Sequence, residues 1–421
     1  MVMPIETGHL FDPLTLPNGA VLPNRIAKAA MEEEMADPGQ LPGQALRALY
    51  ECWSDGGAGL IISGNVMVDP TALTGPGGVV LDRAQPLAPF AAWATSARKA
   101  GNHAWLQINH PGRQVYAAMG QRAVAPSAVA MDLGGFSNFF KVPHALDDAE
   151  IAAIIGRFAD TAALTEQAGF TGVQIHAAHG YLLSQFLSPL TNRRADRWGG
   201  PLENRARLLL DIADAVRARV APGFCVGVKL NSADFQKGGF EPADAARVVG
   251  WLNERAIDLV ELSGGSYESP AMQGLARSGS TARREAYFID FAREITEHAR
   301  MPVMVTGGIH DRDVAERALA PDGNRPGVAM VGLATALAYQ PDLPARWRRG
   351  EALETTLPRV EWRRKPLASL ANLAMTESQL HRIGSGRAPD PSPSPILTLL
   401  KSQIATRVRT ARYRKWVGGR N

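Results

Sequence analysis

Short apolar runs recur along the first three quarters of the chain, each bounded by glycine, proline or a polar cluster. The runs RIAKAAM (25–31), AGLIISG (58–64), NHAWLQI (102–108), GVQIH (172–176), FCVGVKLN (224–231), IDLVELS (257–263), PVMVTG (302–307) and GVAMVG (327–332) have the length and branching of buried strands. Between them the period changes. Over 147–169, Ile151, Ile154, Ile155, Phe158 and Ala162 recur at helical spacing, and Asp147 with Glu150 three residues on has capping-box spacing. A second helix is expected to end near Gly56 and Gly57. Ahead of the first strand, two short apolar runs flank Pro17-Asn18-Gly19, a hairpin signal over 9–23.

Eight strands alternating with helices predict a closed (β/α)8 TIM barrel, with an open doubly wound sheet as the alternative. No GxGxxG follows the first strand, and Gly75-Pro76-Gly77-Gly78 lies in a loop after the second with the wrong spacing for a dinucleotide. The long inserts, 110–146 and 264–287, both follow strands, so in a barrel both lie at the catalytic end. After Tyr339 the rhythm stops. The chain is therefore expected to divide into a barrel, 1–345, and a C-terminal extension, 346–421, with a proline-rich linker at 389–395. The final segment sets Leu397, Leu400, Ile404, Val408 and Ala411 on one helical face, with arginines around the rest.

Composition changes this picture in two places. The formal net charge is only +4, but residues 381–421 hold nine Lys/Arg against one acid, Asp390, so the rest of the chain is net acidic. The basic last helix is expected to be solvated, or packed on the barrel at a subunit contact in a homo-oligomer. A membrane-surface or nucleic-acid contact is the alternative, which Tyr413 and Trp416 among arginines would suit. Two cysteines, Cys52 and Cys225, are too few for an iron-sulfur cluster or a thiolate metal site. No long apolar span or signal peptide is seen, so a cytoplasmic setting is expected.

The chemistry concentrates after the fourth strand, where His176, His179 and Tyr181 follow one another. An HxxH pair could be half of a metal site, but no HExxH or cysteine pair accompanies it. Two imidazoles converging on one point would instead donate to an oxygen gaining negative charge, and a nearby phenol could supply a proton.

The string HAAHGYLLSQFLSPLTNRRADRWGGPLENR (176–205) resembles the signature of the Old Yellow Enzyme family of FMN-dependent NAD(P)H oxidoreductases. LPNRIAKAAM (22–31), GAGLIISG (57–64), WLQINHPGR (105–113), VGVKLNSADF (226–235) and VTGGI (305–309) extend the resemblance over about residues 8–345. It implies non-covalent FMN, with NADH or NADPH as reductant and an α,β-unsaturated carbonyl compound as substrate. His176 and His179 would hold the carbonyl oxygen and Tyr181 would protonate the α-carbon. Gln107 would bond the flavin pyrimidine, and Lys229 would stand where the family places a cation beside flavin N1 and O2. Gly64 would offer its backbone to the flavin, and Gly307 and Gly308 theirs to the phosphate.

Two departures stand out. Where many relatives carry threonine or cysteine after the first strand, this chain runs Ala30, Met31, Glu32; a carboxylate there disfavours electron-rich flavin unless protonated or turned away. After the eighth strand, Ala334 and Thr335 replace a glycine and a phosphate-binding arginine, leaving backbone amides, the Thr335 hydroxyl, Arg312 or Arg325 to hold the phosphate. Rival readings are a dehydrogenase, oxidase or demethylase of the same family acting on an amine or other donor, and a flavin-binding or interaction protein whose catalysis has drifted.

Overall fold

The computed structural model describes residues 9–266, 268, 281–351 and 357–420, with backbone only for 281–288 and 365–366. Eight parallel strands alternate with helices: β1 (Ile26–Lys28), β2 (Leu60–Met67), β3 (His103–Asn109), β4 (Gly172–Ala177), β5 (Cys225–Asn231), β6 (Leu259–Ser263), β7 (Val303–Thr306) and β8 (Met330–Leu333). Each pairs with the next, and β1 pairs with both β2 (Ala27 opposite Leu60) and β8 (Ala27 opposite Gly332). The sheet is therefore a closed (β/α)8 barrel, and the open-sheet alternative is excluded.

Alternation along the strands divides the core in two. Inward residues Ala27, Leu60, Ile62, Trp105, Cys225, Leu259, Met304 and Met330 form one apolar cluster, joined by Leu14, Leu16 and Leu22 of the N-terminal hairpin. The hairpin thus plugs the amino end of the barrel, and its turn uses Asn18 and a left-handed Gly19 (φ 86°). Glycine makes room for the largest inward side chain: a Cβ on Gly172 or Gly227 would come within 2.7 or 2.8 Å of the Trp105 indole. Outward residues pack against the helices α1 (Gln44–Asp55), α2 (Ala88–Ala97), α3 (Asp148–Gln167), α4 (Leu202–Arg217), α5 (Pro242–Leu252), α6 (Thr281–Thr296) and α7 (Arg312–Leu319). Helix α3 opens with the expected capping box, Asp147 and Glu150 each bonding the other's backbone N–H.

Two longer helices follow, α8 (Lys365–Gly384) and α9 (Pro395–Gly418). Helix α8 lies against α1, where Gly384 leaves no room for a Cβ beside Met35 and Ala45. Helix α9 crosses the loops at the barrel's carboxyl end. Its Tyr413 is buried with Met67, Leu73, Val80 and Met119, and the phenol donates to the Pro70 carbonyl at 2.9 Å. The expected apolar face is not the one that packs: Leu397, Leu400, Ile404 and Val408 are all exposed. Among the described residues, no helix is long and apolar enough to cross a membrane.

Candidate active site

Strand β4 ends in the buried His176, and the chain then turns sharply. His179 takes a left-handed backbone (φ 60°), uncommon for a side chain with a Cβ, followed by Gly180 (φ 74°). Hydrogen bonds on both sides hold the turn. The His179 N–H donates to Asn231 Oδ1 at 3.0 Å, and its carbonyl accepts from Gln114 Nε2 at 3.0 Å. The turn brings the rings together edge to face, with His176 5.0 Å from His179 and 5.0 Å from Tyr181 between centroids.

The protonation of this group follows from its surroundings. The Ala178 N–H donates to His176 Nδ1 at 3.1 Å, so the neutral ring carries its proton on Nε2. His179 Nε2 meets Ser263 Oγ at 2.8 Å. Burial holds both imidazoles well below the usual histidine range, and the Lys229 ammonium pushes both the same way. At neutral pH the pair is uncharged, and His176 presents an N–H.

Below the histidines the inward side chains of the barrel are polar. Gln107 Nε2 donates to Gln174 Oε1 at 2.6 Å, Gln174 Nε2 donates to Glu261 Oε2 at 2.7 Å, and Glu261 Oε1 lies 2.8 Å from Lys229 Nζ. All four residues are buried. Lys229, expected as a cation in an apolar strand, is therefore one half of an ion pair, which is how a buried ammonium is kept. Sequence reasoning missed Gln174 and Glu261. Their signal was present, since each is the polar residue in the middle of an apolar run and so faces the barrel interior.

Strand β2 contains a second device. Its register with β3 slips between Ile62 and Asn65, a bulge that removes backbone groups from the ladder. Lys28 Nζ donates to the Ile62 carbonyl at 2.8 Å, and Glu33 Oε1 accepts from the Gly64 N–H at 2.9 Å. Glu33 also accepts from the Tyr50 hydroxyl, and Lys28 lies 4.2 Å above the Trp53 ring. These side chains replace the partners that the bulge gives up. A Cβ at Gly64 would strike the Met31 carbonyl at 2.1 Å, so glycine is required there.

Glu32 turns away from the barrel axis to Asn65 Nδ2 (2.8 Å) and the Thr74 hydroxyl. Burial raises its pKa, which favours the uncharged carboxyl. The hydrogen bonds from Thr74 and Asn65 pull the other way, toward the carboxylate. Glu34, pushed up to about 7 by burial and then by Glu32, accepts from the Gly77 N–H at 2.6 Å. The Gly75-Pro76-Gly77-Gly78 loop therefore cradles a carboxyl side chain of its own chain.

The strand ends also carry buried polar atoms with no protein partner: Asn65 Oδ1, both polar atoms of the Asn109 side chain, and Thr306 Oγ1. Gly307 (φ 135°) and Gly308 (φ 72°) follow β7, and a Cβ on Gly307 would meet nothing within 4 Å. A cation, a row of amides, orphaned donors and acceptors and an open glycine backbone at one end of a barrel fit a planar heterocycle with a phosphate tail. Ala334 (φ −117°, ψ −96°) leads into a short turn of helix at Thr335–Tyr339. Of the arginines expected near the phosphate, Arg312 opens α7 and donates to the Trp347 carbonyl at 2.9 Å. Arg325 precedes β8, so it stands at the amino end of the barrel, opposite the site, and pairs near Glu297. It is removed from the candidates. The loops expected to shape the pocket are tied together: Arg113 pairs with Glu268, which also accepts from the Asp132 N–H at 2.8 Å. Most of 264–287 lies outside the described residues.

Known proteins are similar to this chain in sequence and fold. Residues 9–354 match the model of the NADH:flavin oxidoreductase / NADH oxidase family. The NADH-dependent flavin oxidoreductase iliE of Hypocrea jecorina is 38% identical over 360 residues, covering 80% of this chain and 88% of that protein. An NADH oxidase of Thermoanaerobacter brockii is 31% identical over 338 residues, covering 79% of this chain but 50% of its own length. Among solved structures, morphinone reductase in complex with tetrahydroNAD superposes with a TM-score of 0.69 at 27% identity, over 83% of this chain and 93% of that one. An old yellow enzyme homologue from Zymomonas mobilis superposes with a TM-score of 0.68 at 25% identity, over 83% and 95%. The chain belongs to the NADH:flavin oxidoreductase / NADH oxidase family, FMN-dependent oxidoreductases of the old yellow enzyme type built on a (β/α)8 barrel.

Proposed function

We propose that the chain uses NADH to reduce the carbon–carbon double bond of α,β-unsaturated carbonyl compounds in the cytoplasm. The observation that carries this reading is the convergence of His176, His179 and Tyr181 at the end of β4. Bound FMN would supply the hydride chemistry that links NADH to the β-carbon of the substrate. The neutral imidazoles donate hydrogen bonds to the carbonyl oxygen as it gains charge, and His176 does so through Nε2. Tyr181 gives its proton to the α-carbon, which balances the added hydride. Gln107 and Lys229 hold the pyrimidine edge of the flavin, with the backbone of Gly64 alongside. Ala30, Met31 and Glu32 line its β1 side, while Gly307, Gly308, Ala334 and Thr335 contribute backbone and one hydroxyl to the phosphate.

The visible spectrum tests the reading. Purified protein supplied with FMN should be yellow, bleach anaerobically with NADH, and regain its colour on addition of 2-cyclohexenone. A protein that takes up no FMN sinks the proposal. A second reading, hydride transfer from an amine donor, is favoured by the carboxyls of Glu32, Glu33 and Glu34, which line one cavity with Asn65. Bleaching by amines without NADH, and no recovery with cyclohexenone, would select it.

A further inference from the structure

Helix α9 is fixed to the body along one side and bare along another. Tyr413 is buried, Trp416 and Val417 pack beside it, and Arg420 Nη2 pairs with Asp82 at 2.6 Å. The opposite side carries Leu397, Leu400, Ile404 and Val408 at 58%, 56%, 64% and 48% exposure, with Ile396 at 62% beside them. Positions 397, 400, 404, 408 and 411 follow helical spacing, so they make one continuous stripe. Monomeric soluble proteins seldom leave an apolar stripe of this extent, on the order of several hundred Å², facing water without using it. Lys401, Arg407, Arg412, Arg414 and Lys415 are exposed along the same helix, and no acid lies between 391 and 421.

We propose that this stripe and its cationic rim form a docking surface for an anionic phospholipid bilayer. The apolar side chains would enter the interface between headgroups and acyl chains. The long cationic side chains would lay their stems along the stripe and their charges on the phosphates. Charge selects this occupant over the same helix of a second copy. A symmetric pairing of two such helices sets cationic rim against cationic rim, with no carboxylate on either helix to answer them. A nucleic acid would use the cations but leave five aliphatic side chains against a polyanion, with nothing gained from them. The firm attachment through Tyr413 presents the stripe ready-made. Met67, against which Tyr413 packs, ends β2 at the carboxyl end of the barrel, so docking sets the catalytic mouth beside the bilayer.

Flotation of the full-length, FMN-supplied protein with vesicles tests the proposal. It should float with vesicles of equal parts phosphatidylcholine and phosphatidylglycerol, remain behind with phosphatidylcholine alone, and release as ionic strength rises. The double variant Leu400→Asp, Ile404→Asp should bind anionic vesicles at least roughly tenfold more weakly. Replacing Lys401, Arg407 and Arg412 with glutamine should weaken binding by roughly fivefold per charge. Circular dichroism of both variants should match the parent, since every altered side chain faces water. The proposal is overturned if the parent ignores anionic vesicles at low ionic strength, or if neither variant alters binding. It is equally overturned if sedimentation shows a dimer that the aspartate variant dissolves, which assigns the stripe to a second copy. Retention on duplex DNA that only the charge variant loses, without vesicle binding, assigns the rim to nucleic acid. Flotation does not depend on flavin uptake, so this result and the catalytic reading stand or fall separately.

Discussion

At the scale of single residues, the site depends on side chains whose charge state is set by what surrounds them. Tyr181 is the proposed proton donor, so Tyr181→Phe should slow reduction of cyclohexenone by about a hundredfold or more while leaving FMN uptake and bleaching by NADH unchanged. Stopped-flow measurement of the two half-reactions separates these, and equal slowing of both would remove the assignment. Glu261 and Lys229 form a buried pair, so Glu261→Ala leaves an ammonium without a partner and should cost about 3–5 kcal/mol in denaturant unfolding. Replacing both residues with methionine should recover most of that loss, which distinguishes an unpaired charge from a lost volume. The histidines, Tyr181, Gln107 and Lys229 were legible as polar residues at strand ends or within apolar runs. Their partners were not, because Gln174 and Glu261 reach Gln107 and Lys229 across strands that only closure of the barrel sets side by side.

At the scale of elements, periodicity located the eight strands, and what it missed was how they are interrupted and covered. The bulge in β2 changes the alternation at Ser63 and Gly64, and its cost in ladder bonds is offset by Lys28 at the end of β1 and Glu33 in the segment after it. Helix α8 brings Glu377 to Glu34 and Glu32, and burial followed by those two neighbours pushes its pKa up to about 8. A carboxyl raised above its unfolded value of 4.5 binds more protons in the folded state, so its contribution to stability is lost as pH rises toward 8. Histidines held below their usual range in the folded protein are still partly protonated in the unfolded chain near pH 6.5, and there they make stability rise with pH. Glu377 acts in the opposite direction, subtracting at most about 1.4 kcal/mol per pH unit from the slope. Denaturant titrations between pH 6.5 and 8 should therefore give Glu377→Gln a more positive slope than the parent. An unchanged slope would mean that Glu377 is ionised throughout.

At the scale of the whole molecule, the basic last helix packs along α8 and meets the loops of the acidic body through the fully buried Tyr413. Tyr413→Ala removes a buried aromatic ring and should cost about 3–5 kcal/mol at that contact. The expected readout is faster proteolysis within 389–395 and exposure of the Met67 and Leu73 surface to a hydrophobic dye, with the barrel still binding FMN. Loss of FMN binding together with the barrel's circular dichroism would show instead that α9 is integral to the barrel's stability. The sequence by itself determined the strand-and-helix alternation, the hairpin, the capping box of α3 and the HxxHxY turn. These are local: period, glycine placement and short-range hydrogen bonding decide them within a few residues. The sequence also marked Lys229 and the carboxylate at Glu32 as needing explanation, since desolvating a charge is costly wherever it occurs. Only the tertiary structure decided what answers them, whether Glu261 for Lys229 or Asn65 and Thr74 for Glu32. It alone removed Arg325 to the far end of the barrel. And it alone chose which face of α9 meets the body, because a helix with apolar residues on two sides has no local reason to prefer one.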